Sequence, residues 1–297
     1  MVAASASDSR ADTADATAAA RALRERYRDA GLRPTKRFGQ HFLADLNLAR
    51  KIVTEVGPPA EGPVLEIGAG LGALTFPLAA AGYAGVAIEI DRRLAAWLVE
   101  ALAPWPRIQV IHGDIRTFDL QGDRLRVVGN LPYYLTSEVL FKLVRARTSL
   151  ASAVIMVQDD VAARLLAPPS TRAYGSLTVA MALQFAIEPV LRVPRQAFWP
   201  APEVDSAVVR LTPRAPQESG GGVWLERVVR AGFAQRRKTV ARSLAAGLGL
   251  PRPAVEACLS QLGLDPSRRA ETLAPDDFVR LAAALDHEHG HPEVGDA

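Results

Sequence analysis

The sequence predicts an α/β fold, in which a parallel sheet is covered by helices and a small all-helical domain follows. Five short apolar runs alternate with helical patterns between residues 63 and 166, an arrangement that favours parallel strands with right-handed crossovers. Residues 213–222 are rich in Pro, Gly and Ser, and only helical periodicity follows them. With 297 residues, 49% of them hydrophobic, the chain is long enough for two domains with apolar cores.

The bounds of the individual strands and helices are predicted from hydrophobic periodicity, from helix-capping residues and from Gly and Pro, which interrupt regular structure. Strands are predicted over 63–67, 84–90, 108–111, 125–128 and 153–157, with two late strands over 188–193 and 204–211. Helices are predicted over 17–30, 46–56, 74–81, 92–102, 136–147, 159–166, 176–185, 224–235, 238–246, 253–262 and 275–285. Asp45 is a typical N-cap residue, and Pro275 is suited to a first helical position. Segments 33–43 and 195–202 are predicted to be loops.

These elements give four segments. We predict an N-terminal extension over 1–31, an α/β domain over 32–213, a helical domain over 223–286 and a polar tail over 287–297. The net charge of +3 and the pI of about 9.2 indicate weakly that the partner is a polyanion. One cysteine, Cys258, excludes an internal disulfide and a metal site built from cysteines, and we expect no metal.

The expected location is the cytoplasm. No apolar run reaches the ~18 residues that a membrane-spanning helix needs. The first twenty residues are mostly Ala, Ser, Thr and Asp and lack the apolar stretch of a signal peptide. We therefore expect no contact with a membrane.

A glycine-rich turn follows the first predicted strand of the sheet. Gly68 and Gly70 allow the backbone to approach a ligand closely, and Glu89, at the end of the next strand, can accept the hydroxyls of a ribose. A nicotinamide cofactor and S-adenosylmethionine fit this pattern equally well. A tight turn without a ligand is the remaining alternative.

Asp114 follows the third predicted strand. A carboxylate there can accept a hydrogen bond from the exocyclic amine of an adenine, which hydride-transfer folds do not require. On its own, Asp114 is better explained as a turn residue or a helix N-cap.

The stretch Asn130-Leu131-Pro132-Tyr133 follows the fourth predicted strand and favours a methyl acceptor. An adenine amine is a poor nucleophile because its lone pair is delocalised, and two hydrogen-bond acceptors can draw its nitrogen towards tetrahedral geometry. The side-chain oxygen of Asn130 can be one acceptor, and a carbonyl of Leu131 or Pro132, in a backbone that proline restricts, can be the other. Tyr133 can stack on the base.

For the remaining candidate site residues, a purely structural role explains the sequence as well as a functional one does. Phe198, next to Trp199, could form the opposite wall of a base pocket or could pack on the core. Two basic clusters could contact phosphate or could be solvated chain. Their residues are Lys36 and Arg37 in the first cluster, and Arg236, Arg237 and Lys238 in the second.

Seven motifs resemble the bacterial small-subunit ribosomal RNA adenine dimethyltransferases. The resemblance runs from about residue 36 to residue 285, and the last three motifs, which follow NLPY, are the more specific. The motifs are KRFGQHFL (36–43), EIGAGLGALT (66–75), IEID (88–91), GNLPYY (129–134), YGSLTV (174–179), FWPAPEVDSAVVRL (198–211) and FAQRRKTVARSL (233–244).

This resemblance implies a Rossmann-like methyltransferase domain that binds S-adenosylmethionine, with a helical C-terminal domain that binds RNA. It implies dimethylation of two adjacent adenosines near the 3′ end of small-subunit rRNA, in an assembling small subunit, by a monomer. The implied donor site contains His41, Leu43, Gly68, Gly70, Glu89, Asp114 and Asn130. The implied target site contains Asn130, Leu131, Pro132, Tyr133 and Phe198.

The chain departs from the family pattern at three positions. His41 replaces a frequent Asn, Ala69 replaces a frequent Pro, and Ala201 interrupts a run of prolines. If residue 41 contacts the methyl donor through its side chain, the change to His puts that contact in doubt; a contact through the backbone is unaffected. Two other functions remain open: a methyltransferase of large-subunit rRNA and an RNA-binding assembly factor without catalysis. The NLPY form and the FAQRRK stretch argue against the first, and the intact NLPY argues against the second.

Overall fold

The computed structural model describes residues 39–215, 222–235 and 237–289, together with Glu25, Arg28 and Gly31. Most of the predicted extension over 1–31, with its helix over 17–30, lies outside these residues. So do Lys36, Arg37 and Arg236 of the two basic clusters.

Strands and helices alternate as the sequence predicts. The strands are β1 (Phe42–Leu43), β2 (Val64–Ile67), β3 (Gly85–Glu89), β4 (Ile108–His112), β5 (Leu125–Asn130), β6 (Leu150–Gln158), β7 (Phe185–Val193), β8 (Phe198–Trp199) and β9 (Ser206–Pro213). The helices are α1 (Leu46–Thr54), α2 (Thr75–Ala80), α3 (Arg92–Ala101), α4 (Thr136–Arg145), α5 (Asp159–Leu165), α6 (Ser176–Gln184), α7 (Gly222–Phe233), α8 (Val240–Leu248), α9 (Arg252–Gln261) and α10 (Pro275–His289).

Seven strands form one sheet in the order β4-β3-β2-β5-β6-β9-β7. The pairs β3–β4, β2–β3, β2–β5 and β5–β6 are parallel, and β9 runs antiparallel to β6. Since β3 and β5 both flank β2, the strand order reverses at β2, and ligands bind outside the carboxyl ends of the strands at such a reversal. The register pairs Ile67 with Gly129, so the residues that follow β2 and end β5 are neighbours.

The prediction of loops around Phe42 and Phe198 is wrong in part. Strands β1 and β8 pair antiparallel, with Phe42 opposite Trp199 and Leu43 opposite Phe198. The Ala44 amide also donates to the Ala197 carbonyl at 2.7 Å. Two-residue strands are too short for any periodicity to reveal them, and their partners are far apart in the sequence.

The chain divides into two compact units. The first lies within Met1–Ala162 and Ala186–Pro213, and the second within Ala163–Phe185 and Arg214–Ala297. Segment 163–185 thus belongs to the helical unit by its contacts, whereas the sequence placed it in the α/β domain. Tyr174, Val179 and Leu183 account for this difference, because they are buried in the core of that unit. The domain boundaries themselves stay a prediction. Among the described helices, none is long and apolar enough to cross a membrane.

Arg126, at the start of β5, is only 1% exposed and holds the chain between α1 and β2. Its guanidinium lies 5.3 Å from the centre of the Tyr83 ring. It also donates to four backbone carbonyls, those of Val56, Pro58, Pro59 and Gly62. The planar guanidinium can satisfy several acceptors at once. We therefore assign Arg126 a structural role, in which it fixes the backbone between α1 and β2.

Replacing Arg126 by Met should lower the free energy of unfolding by about 2–4 kcal/mol, because buried carbonyls lose their donors. Urea denaturation measures this loss. Arg124→Met, two residues earlier and exposed, is the matched control, with an expected change within about 0.5 kcal/mol. Equal losses in the two variants would contradict the role of Arg126.

Candidate active site

A cleft opens at the carboxyl ends of β2, β3 and β5, beside the reversal of strand order. Its lining residues are Gly39–Phe42, Gly68, Gly70, Glu89, Ile90 and Asn130–Tyr133. The glycine turn, the acid that ends β3 and the NLPY stretch therefore line one cleft.

Glu89 shapes the glycine turn. Its Oε2 accepts from the Gly70 amide at 2.7 Å, and its Oε1 accepts from the Asp91 amide at 2.8 Å. Burial raises the pKa of Glu89, and these amide hydrogen bonds offset part of that effect. Each carboxylate oxygen has two acceptor positions, so one on each oxygen remains for a ligand hydroxyl.

Gly70 has φ of +56°, a conformation that favours glycine. A Cβ atom at this position would lie 3.0 Å from a ring carbon of Phe42 in β1. A side chain at this position would therefore displace the Phe42 ring, and both Gly70 and Phe42 line the cleft.

Asn130 ends β5, and its amide has a fixed orientation. Its Nδ2 donates to the backbone carbonyl of His41 at 2.9 Å. The amide oxygen is thereby left to accept a hydrogen bond from a ligand. A change of side chain at position 41 preserves this contact, because it uses the backbone.

Tyr133 is held on two sides. Its ring stacks on the His41 imidazole, with centroids 5.4 Å apart and planes at 23°. Its hydroxyl lies 3.5 Å from the Ser206 Oγ. Burial raises the pKa of Tyr133, so the phenol stays protonated at neutral pH.

The backbone between Asn130 and Tyr133 distinguishes two possible acceptors. The Pro132 carbonyl accepts from the Leu135 amide at 3.0 Å and from the Thr136 hydroxyl at 3.2 Å. Both acceptor positions of this oxygen are used within the turn. This leaves the Leu131 carbonyl as the better candidate for a contact with a ligand.

Glu66 in β2 is a buried acid that the sequence reasoning did not single out. It is 2% exposed and lies beside Thr75, whose hydroxyl is also buried. Burial raises its pKa to about 8; a hydrogen bond with Thr75 lowers the pKa and the nearby Glu89 charge raises it further. This shift favours the protonated, neutral form of Glu66 near pH 7. Its position in a buried strand next to the glycine turn could have indicated this.

Three predicted site residues do not line the cleft. Leu43 and Phe198 are each 2% exposed and lie in the hydrophobic core, where they pair across β1 and β8. Asp114 is held by Arg116, whose Nε donates to Oδ2 at 2.9 Å and whose Nη2 donates to the same atom at 2.6 Å. These Arg116 contacts lower the pKa of Asp114. Ligand contacts of all three stay predictions.

Two residues of the second basic cluster are described, and both are more than 100 positions after Tyr133, the last cleft residue in the sequence. Arg237 and Lys238 are exposed in the turn between α7 and α8, directly before the N-cap Thr239. Their contact with RNA stays a prediction. In the part of the chain that is described, no group of His, Cys, Asp and Glu residues has the arrangement of a metal site.

Sequence reasoning also missed Gln40 and Ser206, since neither residue type carries a signal outside its three-dimensional context. Gln40 donates to the Asp91 carboxylate at 3.4 Å. Ser206 reaches Tyr133 from β9, 73 positions further along the chain.

The comparisons with known proteins agree with this geometry. A family model of the ribosomal RNA adenine dimethylases matches residues 31–287. Ribosomal RNA small subunit methyltransferase A of Bacillus thuringiensis (strain Al Hakam) is 40% identical over 264 residues, which cover 84% of this chain and 90% of that relative. The enzyme of the same name from Bacillus mycoides (strain KBAB4) gives the same identity and coverage.

Two solved structures are similar over most of the chain. A dimethyladenosine transferase from Plasmodium falciparum has a TM-score of 0.76 and 25% identity, with 83% of this chain and 98% of that one covered. The 23S rRNA methyltransferase ErmE has a TM-score of 0.65 and 32% identity, with 82% and 99% covered. The Rossmann-like methyltransferase fold is thereby confirmed, and the chain belongs to the ribosomal RNA adenine dimethylase family of enzymes.

Proposed function

We propose that this protein transfers methyl groups from S-adenosylmethionine to the N6 amines of two adjacent adenosines near the 3′ end of small-subunit rRNA. The observation that carries this proposal is the orientation of Asn130, whose Nδ2 is bound by the His41 carbonyl while its oxygen is left for an amine. The names of the relatives that are 40% identical support the small subunit as the substrate. Methylation of large-subunit rRNA, the activity in ErmE's name, is not favoured.

The residues of the cleft fit S-adenosylmethionine. Gly68 and Gly70 would let its chain approach the backbone closely, and Glu89 has acceptor positions left for the ribose hydroxyls. When bound, S-adenosylmethionine supplies an electrophilic methyl group. Asp114 would join this site if its carboxylate also accepts the adenine amine beside Arg116.

The protein's own contribution is to align the target amine. The Asn130 amide oxygen and the Leu131 carbonyl oxygen accept hydrogen bonds from the two N–H groups of the amine, which turns the nitrogen lone pair out of the base plane. Tyr133 stacks on the base and fixes its plane. Such alignment at ~3–3.5 Å from the methyl carbon supplies the rate enhancement without a general base. After transfer, the methylated nitrogen carries a positive charge and loses one proton to solvent. Tyr133 does not take this proton, because its phenol is already protonated.

We extend the proposal to the partner and the location. Lys36, Arg37, Arg236, Arg237 and Lys238 contact rRNA phosphates in an assembling small subunit. The protein acts in the cytoplasm as a monomer.

The purified protein can be tested on small subunits from a strain that lacks the methylation. With labelled S-adenosylmethionine, the expected product is N6,N6-dimethyladenosine at two adjacent 3′-terminal positions, mapped by mass spectrometry of RNA fragments. Label in large-subunit RNA alone would contradict the proposed substrate, and no label in either would contradict the proposed activity.

Gly70→Ala should weaken the binding of S-adenosylmethionine about tenfold, because the new Cβ atom meets Phe42 and shifts the turn. Isothermal titration calorimetry measures this change. Gly82→Ala is the matched control, since Gly82 also has a positive φ (+86°) but nothing lies within 4 Å of its Cβ position. If both variants bound S-adenosylmethionine as tightly as the wild type, the glycine turn would not be part of the cofactor-binding site.

A further inference from the structure

His41 connects three segments of the cleft. Its carbonyl accepts from Asn130 at 2.9 Å, its Nδ1 lies 2.8 Å from the Pro200 carbonyl, and its ring stacks on Tyr133. A carbonyl oxygen only accepts, so Nδ1 carries a proton and donates it to Pro200. The imidazole is therefore fixed in its plane by a hydrogen bond on one edge.

The hydrogen bond to Pro200 extends the pairing between β1 and β8. Phe42 pairs with Trp199, and His41, the preceding residue, reaches Pro200, the following one. The imidazole is thus part of a short antiparallel ribbon rather than of a loose loop. A ring held in this way can hold the ring that stacks on it.

We propose that the His41 imidazole is a positioning residue for the target base, which it serves by holding the Tyr133 ring in the plane on which the base stacks. This role rests on the proposed function and differs from a contact with the methyl donor. Asn130 is oriented by the His41 backbone, so a side-chain change should affect Tyr133 and leave the amide of Asn130 in place.

Two variants separate the two side-chain contacts. His41→Phe keeps a stacking ring and loses the hydrogen bond to Pro200, so kcat should fall about 2–10-fold. His41→Ala loses both contacts, so kcat should fall about 10–100-fold. The dissociation constant for S-adenosylmethionine should stay within about threefold of the wild-type value in both variants.

A double-mutant cycle tests whether His41 acts through Tyr133. In a Tyr133→Ala background, His41→Ala should lower kcat by no more than about twofold, because the ring that it positions is already absent. Methyl transfer to small subunits gives kcat and KM, and calorimetry gives cofactor affinity.

Additive losses in the cycle would overturn the proposal, and so would a loss of cofactor affinity equal to the loss of kcat. A kcat of His41→Ala equal to that of the wild type would also overturn it. Failure of the proposed function is a different result, because the wild-type protein itself would then transfer no methyl group to small-subunit rRNA.

Discussion

Asn130→Ala should lower kcat for methyl transfer by about 10²–10³-fold or more, because the amine loses the acceptor that turns its lone pair towards the methyl group. The side chain lies at the end of β5, and the His41 carbonyl fixes its orientation. Affinity for RNA should stay within about threefold, since phosphate contacts made by other residues supply most of it. Single-turnover transfer and a filter-binding assay measure the two quantities.

The chain contains one other asparagine, Asn47, which provides a matched control. Its side chain accepts a hydrogen bond from Arg50 within α1. Asn47→Ala should transfer methyl groups at the wild-type rate. Equal loss of RNA binding and of transfer in Asn130→Ala would show that Asn130 acts in binding rather than in catalysis.

Glu66→Gln should remove a large pH dependence of stability. The ordinary pKa of a glutamate is 4.5, and burial raises that of Glu66 to about 8. Between these values the folded protein holds a proton that the unfolded chain has released, so the free energy of unfolding falls as pH rises from about 4.5 to about 8. The whole fall amounts to roughly 3–5 kcal/mol, at 1.36 kcal/mol per pKa unit.

The neutral amide of Gln does not titrate, so the variant should lack this fall. At pH 5 the two proteins should have similar urea midpoints, and at pH 9 Glu66→Gln should be the more stable by roughly 3–5 kcal/mol. Glu100→Gln, on an exposed position of α3, should follow the wild-type profile. If the difference in free energy of unfolding between the wild type and Glu66→Gln stayed constant from pH 5 to pH 9, the raised pKa of Glu66 would be contradicted.

The sequence was sufficient to predict those site residues that lie at the ends of strands in the large sheet. Strand β5 is apolar and buried over several residues, so its periodicity located Asn130 and its neighbours. Parallel strands with ends at one edge predict that Glu89, Asp114 and Asn130 converge on one crevice. Glu89 and Asn130 line the cleft, and Asp114 does not.

The remaining features depend on contacts that no local pattern encodes. Phe198 lies in a two-residue strand whose partner is Leu43, more than 150 positions away, and this pairing buries it. Asp114 was predicted from its place after β4, but its orientation depends on Arg116, two residues later, which donates to its carboxylate. The buried state of Glu66 likewise follows from packing on both faces of the sheet.

The most direct test of the proposed function is the methylation state of rRNA in a strain from which the gene has been deleted. Mass spectrometry of the 3′-terminal fragment of small-subunit rRNA should show two unmethylated adjacent adenosines, and a plasmid copy of the wild-type gene should restore N6,N6-dimethyladenosine at both. A plasmid copy carrying Asn130→Ala should not restore them. Full dimethylation at these adenosines in the deletion strain would contradict the proposed function.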